Sequence, residues 1–403
     1  RLLIAALTNF GLERSAVKNI AKLNGGGNRY EIAKVVAVLR RLVWITGILG
    51  ALSTLIFSSY LSKFTFGNND YTLAFGWLSI TLLINQISAG QGVVLRGMHQ
   101  IHYMAKSSLL GSVSGLVISV PIYYFFGING IVPAIIVSSI SALFLTYYYS
   151  NKVDIDVVKI ELSDVFSEGK DMMVMGFVLG LSSMIVLGES YLVRLYIRST
   201  GNLQDVGFYT AGFAIVNTYF GVIFTALTTD YYPKLASIAN DKVKSILLMN
   251  QQSEMTMLLI APILVVFLVF IKAIVVLLYS NDFLPISEMI IWAGAGIYFK
   301  ASSWSIGVIF ISKGDVKTLF WSELFSTLIM FVFNLLGYKF FGLEGLGISF
   351  MLAFLYAYIQ TLVIVKIKYT FTYSLMFYKI YIVNLSLLVA AFFIARYMDT
   401  SYK

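Results

Sequence analysis

The sequence predicts an all-α integral membrane protein built as two parallel six-helix transmembrane bundles around a central cavity. Three observations carry that expectation. First, the 403 residues are 59% hydrophobic and only 12% charged, whereas soluble domains average about 25% charged residues. Second, the apolar runs last roughly 18 to 25 residues, enough to cross about 30 Å of hydrocarbon as helices and too long for the alternating strands of a membrane β-barrel. Third, one stretch is written twice. Gly92, Val93, Tyr123, Phe125, Phe126, Gly127 and Gly130 match Gly307, Val308, Tyr338, Phe340, Phe341, Gly342 and Gly345 at one constant offset. Internal repeats of this kind build membrane transporters, with the substrate held where the copies meet.

Taken in order, a first apolar run ends near Val17 and is followed by the basic segment Lys18 to Lys22. Runs from about Val35 to Ser59 and from Tyr71 to Leu95 come next, each about one bilayer long at 1.5 Å per residue. Two more cover Ser107 to Phe126 and Ile131 to Tyr149, so residues 1–149 form an N-terminal bundle. The most polar stretch, 150–171, reads as a linker. The C-terminal bundle, 172–367, opens with helices from Met172 to Ile197 and from Val206 to Asp230. A polar, surface-lying segment is expected from Pro233 to Glu254. Runs from Met255 to Tyr279, Ile286 to Ser312, Thr318 to Phe341 and Leu346 to Ile367 complete that bundle, and residues 368–403 add one further helix from Ile380 to Ala395.

The repeat sets the run ending at Val17 opposite the one ending at Asp230, which leaves the helix from Met172 without a counterpart. A first helix is therefore expected before Arg1, in a longer gene product, and each repeat has six helices. An even number of crossings relates the copies by an axis along the membrane normal, without inversion.

The net charge of +9 does not point to nucleic acid, because the basic residues concentrate in alternate loops. Such a bias marks the cytoplasmic side of a membrane protein. It puts 152–170 in the cytoplasm and 201–205 outside. With no cysteine, disulfides and thiolate metal sites are excluded.

Several short segments resemble a known family. Val206-Gly207-Phe208-Tyr209-Thr210-Ala211-Gly212, followed by Tyr231-Tyr232-Pro233-Lys234-Leu235, resembles the second helix of the C-terminal bundle in polysaccharide flippases. Asn9-Phe10-Gly11-Leu12 with Ala16 to Ala21 is similar to the matching N-terminal helix, and Ala261-Pro262 with Leu278 to Phe283 to the helix and turn that follow. The chain thus resembles the O-antigen flippase branch of the multidrug, oligosaccharidyl-lipid and polysaccharide exporter superfamily. What the resemblance implies is a monomer in the bacterial inner membrane that moves an undecaprenyl-diphosphate-linked oligosaccharide between leaflets. Alternating access is the implied mechanism. A multidrug/cation antiporter of the same superfamily is the alternative. A membrane glycosyltransferase or polymerase fits less well, because no extracellular loop is long enough for a catalytic domain.

Charges inside helices are the strongest pointers to a site, since an ionisable group deep in a bilayer is costly unless it meets a partner or water. Lys300 lies midway along its run and is expected to contact a diphosphate or a sugar acid, unless a carboxylate such as Glu189 pairs with it. Arg14 and Arg194 join it as substrate-binding candidates, guanidinium groups being matched to phosphate oxygens. Glu189 and Glu13 are candidates for a coupling ion, H+ or Na+, or for structural ion pairs. Glu189 and Arg194 stand about 140° apart around their helix and so face different partners. The amides Asn9, Gln86, Gln91 and Asn217 suit helix-to-helix hydrogen bonds better than sugar binding. No cofactor is implied. Gly25-Gly26-Gly27 lacks the Lys-Ser or Lys-Thr of a nucleotide loop, and His99 with His102 has no third metal ligand nearby.

Overall fold

Once a chain enters hydrocarbon, its backbone must satisfy its own hydrogen bonds, and continuous helices do so locally. A computed structural model describes residues 12–397 except 27, 67 and 157, and among these no strand occurs. The helices are α1 (Leu12–Gly26), α2 (Arg29–Ile56), α3 (Ser58–Phe66), α4 (Thr72–Gly97), α5 (Ile101–Phe126), α6 (Ile131–Ser150), α7 (Leu162–Thr200), α8 (Leu203–Ile238), α9 (Lys242–Val269), α10 (Ile271–Leu278), α11 (Ile286–Lys313), α12 (Val316–Tyr369) and α13 (Leu375–Tyr397). Nine helical stretches of the described chain are long and apolar enough to cross a membrane, with α5 and α6 forming one of them.

Two of the nine are hairpins. Between α5 and α6 the chain reverses at Gly127 (φ 53°, ψ −132°), and α12 reverses at Gly342 (φ 58°, ψ −137°). Those are the paired glycines of the sequence repeat, in one conformation that a side chain rarely adopts. Hydroxyl pairs, Ser119 with Ser138 at 3.2 Å and Ser141 with Ser114 at 2.9 Å, then hold the legs of the first hairpin together. In the second, Ser326 donates to Gln360 at 2.7 Å and Ser349 to the Phe333 carbonyl at 2.6 Å.

By contacts the chain divides into two compact units, one comprising residues up to Met184 with Tyr232–Ser237, the other Ile185–Tyr231 with Ile238–Lys403. In the first unit, α1 buries Leu12, Ala16 and Ile20 at a four-residue spacing, the stripe of a helix packed on one side. Gln86 donates to Thr46 at 3.0 Å and Gln91 accepts from Ser150 at 2.8 Å, so both amides join helices as expected. Asn9, and the start of the first expected run, lie outside the described residues.

In the second unit the axis is α11, of whose spanning window 67% is buried, against 44% or less elsewhere. The helix α13 belongs to this unit. Tyr298 donates to the Tyr381 carbonyl at 2.6 Å, Asn384 to the Met257 carbonyl at 3.1 Å, and Tyr373 stacks on Phe377 at 3.7 Å.

Two boundaries differ from the sequence reading. Helix α7 starts at Leu162, ten residues before the expected Met172, because Val165, Met172 and Met175 are buried on one face. The segment 233–254 is not a separate surface piece. Helix α8 runs on through Pro233 to Ile238, and α9 starts at Lys242 with Asp241 as its cap, accepting from the Lys244 amide at 3.1 Å. The segment's polar residues thus lie in two long helices and the short turn 239–241 that joins them.

Candidate substrate and ion sites

Lys300 projects from the middle of α11 in the second unit. Its Nζ lies 5.6 Å from the ring centre of Phe224 on α8 and 5.1 Å from that of Phe354 on α12. An ammonium between two ring faces is held by the rings' quadrupoles, a contact worth up to about 2 kcal/mol when desolvated. Phe224 is braced by Trp304 at 5.6 Å, Trp304 by Tyr231 at 6.0 Å, and the Tyr231 hydroxyl donates to the Ser305 carbonyl at 2.8 Å. Among the described residues no carboxylate oxygen lies within ion-pair reach of Lys300, so the expected structural alternative, a pair with Glu189, does not form. Nearby hydroxyls do not supply a second polar wall. Ser302 and Ser303 donate back to the carbonyls of Tyr298 and Lys300, at 3.1 and 3.0 Å.

Glu189 and Arg194 share α7 and turn to different partners. Glu189 accepts from the Asn334 amide of α12 at 3.0 Å, while Arg194, exposed, donates to Ser190 at 2.9 Å. Asn334 is buried, and its Oδ1 has no hydrogen-bond partner. A carboxylate and an unused amide oxygen beside each other are the hard oxygen donors that a proton or Na+ takes. Among the described residues no group of three His, Cys, Asp or Glu that would hold a metal ion occurs.

In the first unit Glu13 pairs with Arg96 at 2.9 Å. Arg14 is exposed, and its backbone carbonyl accepts from the Tyr232 hydroxyl. Thus Lys300 touches neither Glu189 nor Arg194, and Glu13 is engaged structurally.

Four features of these sites carry little or no signal in the sequence. Arg96, one turn beyond the repeated Gly92, has Ile311 as its counterpart in the repeat and stands out only as a charge at the end of an apolar run. Asn334 was detectable as a lone amide inside an apolar run. Arg40 and Arg41 lie within the expected span Val35 to Ser59 and break it. Phe224 and Phe354 gave no signal, because thirty-one phenylalanines leave no way to single out two.

Nine membrane-length helical stretches among the described residues, with ionisable groups lodged within them, define a multi-pass membrane protein. Its fold is that of the multidrug resistance transporters of the MOP superfamily. An outward-facing multidrug resistance MATE family transporter superposes with a TM-score of 0.80 at 15% identity, over 92% of this chain and 85% of that one. A MOP superfamily transporter from Pyrococcus furiosus, described as having a binding pocket of reverse polarity, gives 0.80 at 16% identity, over 92% and 86%. A Vibrio cholerae MATE transporter gives 0.75 at 15%, over 94% and 88%. No curated protein sequence matches. The family model for polysaccharide biosynthesis proteins matches residues 36–288, and the chain belongs to that family.

Proposed function

We propose that this membrane protein is a transporter that translocates an undecaprenyl-diphosphate-linked oligosaccharide, such as an O-antigen repeat unit, across the bacterial inner membrane by alternating access. The observation that carries the reading is Lys300, a cation fixed between two phenyl rings with no carboxylate in reach. A site of that kind recognises phosphate or a sugar acid and repels a cationic drug. Membership of the polysaccharide biosynthesis family supports the same substrate class. Arg194, exposed in the same unit as Lys300, serves as a further contact for the anionic head group, and Arg14, exposed in the first unit, as an entry contact for a lipid diphosphate. Glu189 with the free Asn334 oxygen binds the coupling ion, H+ or Na+.

Proteoliposomes carrying a fluorescent polyprenyl-diphosphate sugar test the proposal. Protein should raise the rate at which the label crosses the bilayer, and Lys300→Met should remove most of the increase. Equal rates with protein and with empty vesicles would overturn it. Export of a cationic dye by the same vesicles would favour the antiporter instead.

A further inference from the structure

Helix α2 carries a second basic feature, separate from the groups above. Arg29 pairs with Asp154 at 3.5 Å and Lys34 with Glu168 at 2.7 Å. The next basic residues along the helix, Arg40 and Arg41, are exposed, and among the described residues no carboxylate lies within ion-pair reach of either. Both line a cleft of about 510 Å³ with Ala37, Trp44, Asp156 and Val158. Asp156 and Val158, which lie outside any helix, line it from the side opposite α2.

Depth and surroundings restrict what such a cleft takes. At 1.5 Å per residue, Arg40 stands about 16 Å along α2 from Arg29, and the uncharged stretch from Leu42 to Ile56 beyond it spans about 22 Å. Two arginines at that level sit at the edge of the hydrocarbon, where long basic side chains reach the phosphate layer. Below them an apolar stripe continues on the same side. Trp44, Ile48, Leu52 and Leu55 are 50%, 43%, 49% and 51% exposed at spacings of three and four, which keeps them in line along one face. A head-group cleft therefore opens onto a track fit for an acyl chain.

Charge selects among lipids. Two guanidinium groups and the Asp156 carboxylate sum to one net positive charge. A phospholipid with one net negative charge neutralises it, a zwitterionic lipid leaves it uncompensated, and a diphosphate carrier overshoots. Asp156, an acceptor only, also favours a hydroxylated head group.

We propose that the cleft formed by Arg40, Arg41, Trp44 and Asp156 binds one anionic phospholipid of the phosphatidylglycerol type. The arginines hold its phosphate, Asp156 accepts from its glycerol hydroxyls, and its tails follow the stripe from Trp44 to Leu55. Basic pockets between membrane helices on the cytoplasmic side are general receptors for such head groups. The site does not depend on the transported substrate.

Native mass spectrometry of the full purified chain tests it, with phosphatidylglycerol and phosphatidylcholine offered at equal concentration. The wild type should retain the anionic lipid on the order of tenfold better, the scale that charge-assisted hydrogen bonds support. The double variant Arg40→Gln, Arg41→Gln should bring the two lipids level. Its melting in lipid-free detergent should not fall, since neither arginine has an ion-pair partner to lose. Should that variant fail to fold, Asp156→Asn serves instead and should erase the preference for phosphatidylglycerol over phosphatidic acid. A wild type that binds both offered lipids equally would overturn the proposal, as would a folded double variant that keeps its preference. Displacement of phosphatidylglycerol by an equimolar amount of undecaprenyl diphosphate would also overturn it and assign the cleft to the lipid carrier.

Discussion

Replacing Lys300 with methionine keeps most of the side chain's length and removes its charge, which separates the two roles a membrane lysine can have. An unpaired ammonium deep in a protein costs several kcal/mol relative to water. The rings of Phe224 and Phe354, at 5.6 and 5.1 Å, recover about 2 kcal/mol. The balance favours the variant. Lys300→Met should therefore fold at least as well as the wild type, with a gain of about 1 to 3 kcal/mol, on the scale seen when buried charges give way to apolar groups. Transport should move the other way. Loss of one charge-assisted hydrogen bond to a phosphate, about 1.5 to 3 kcal/mol, lowers substrate capture by roughly 10- to 150-fold. Lys300→Arg should keep part of the activity, because charge survives while reach and geometry change. The assay pairs flipping in proteoliposomes with thermal unfolding in the same detergent. A methionine variant that flips at the wild-type rate refutes the substrate contact. One that melts earlier and loses transport with its fold shows instead that the cation clamps α8 to α12.

Glu189→Gln keeps an acceptor for Asn334 and removes the charge, so binding of labelled substrate should persist while the dependence of flipping on a pH or Na+ gradient disappears; an unchanged gradient response counts against the coupling role. Asp315, in the turn before α12, is pushed up by burial but more strongly held down by hydrogen bonds from Lys368, Tyr369 and Thr318, to about 2 from an ordinary 3.8. With the folded value the lower one, its contribution to stability is complete above pH 3.8 and lost as the pH falls towards 2. Asp315→Asn should flatten melting against pH in that window, and an unaltered profile would contradict the assignment. In the second hairpin, Gly342→Ala meets no neighbouring atom and should cost about 1 to 3 kcal/mol through backbone strain alone. Gly345→Ala drives its Cβ into the Gly337 carbonyl and should lower membrane abundance further; the reverse order would mean that the turn, not the close approach of the two legs, governs assembly.

What was legible in the sequence followed from the bilayer's own simplicity. Twenty apolar residues in hydrocarbon have few structures open to them, so spans such as Ile286 to Ser312 emerged within a residue or two of α11. Gly127 and Gly342 were visible as a repeat because a reversal with positive φ admits little else. Outside the bilayer that constraint is absent, and the early start of α7 and the helical run through Pro233 depended on packing that hydropathy does not record. At the candidate sites, the ionisable residue types stood out because charge within an apolar run is rare. Their partners did not. Whether Lys300 meets a carboxylate or a phenyl ring is decided by helices distant in sequence, and Asn334 completes the surroundings of Glu189 from 145 residues away.

The placement of α13 bears on how the second unit comes into being. The hydrogen bonds of α13 and of the segment just before it reach far back along the chain: Asn384 meets Met257 across 127 residues, Thr372 meets Asn250 across 122, and Tyr381 meets Tyr298 across 83. A ribosome adding about 5 to 20 residues per second releases α9 and α11 many seconds before the helix that satisfies them. During that interval the Tyr298 hydroxyl lacks the Tyr381 carbonyl that accepts from it in the folded unit. Arrival of α13 supplies that acceptor and the Asn384 donor to Met257, so the second unit completes its buried hydrogen bonds only once α13 has been made.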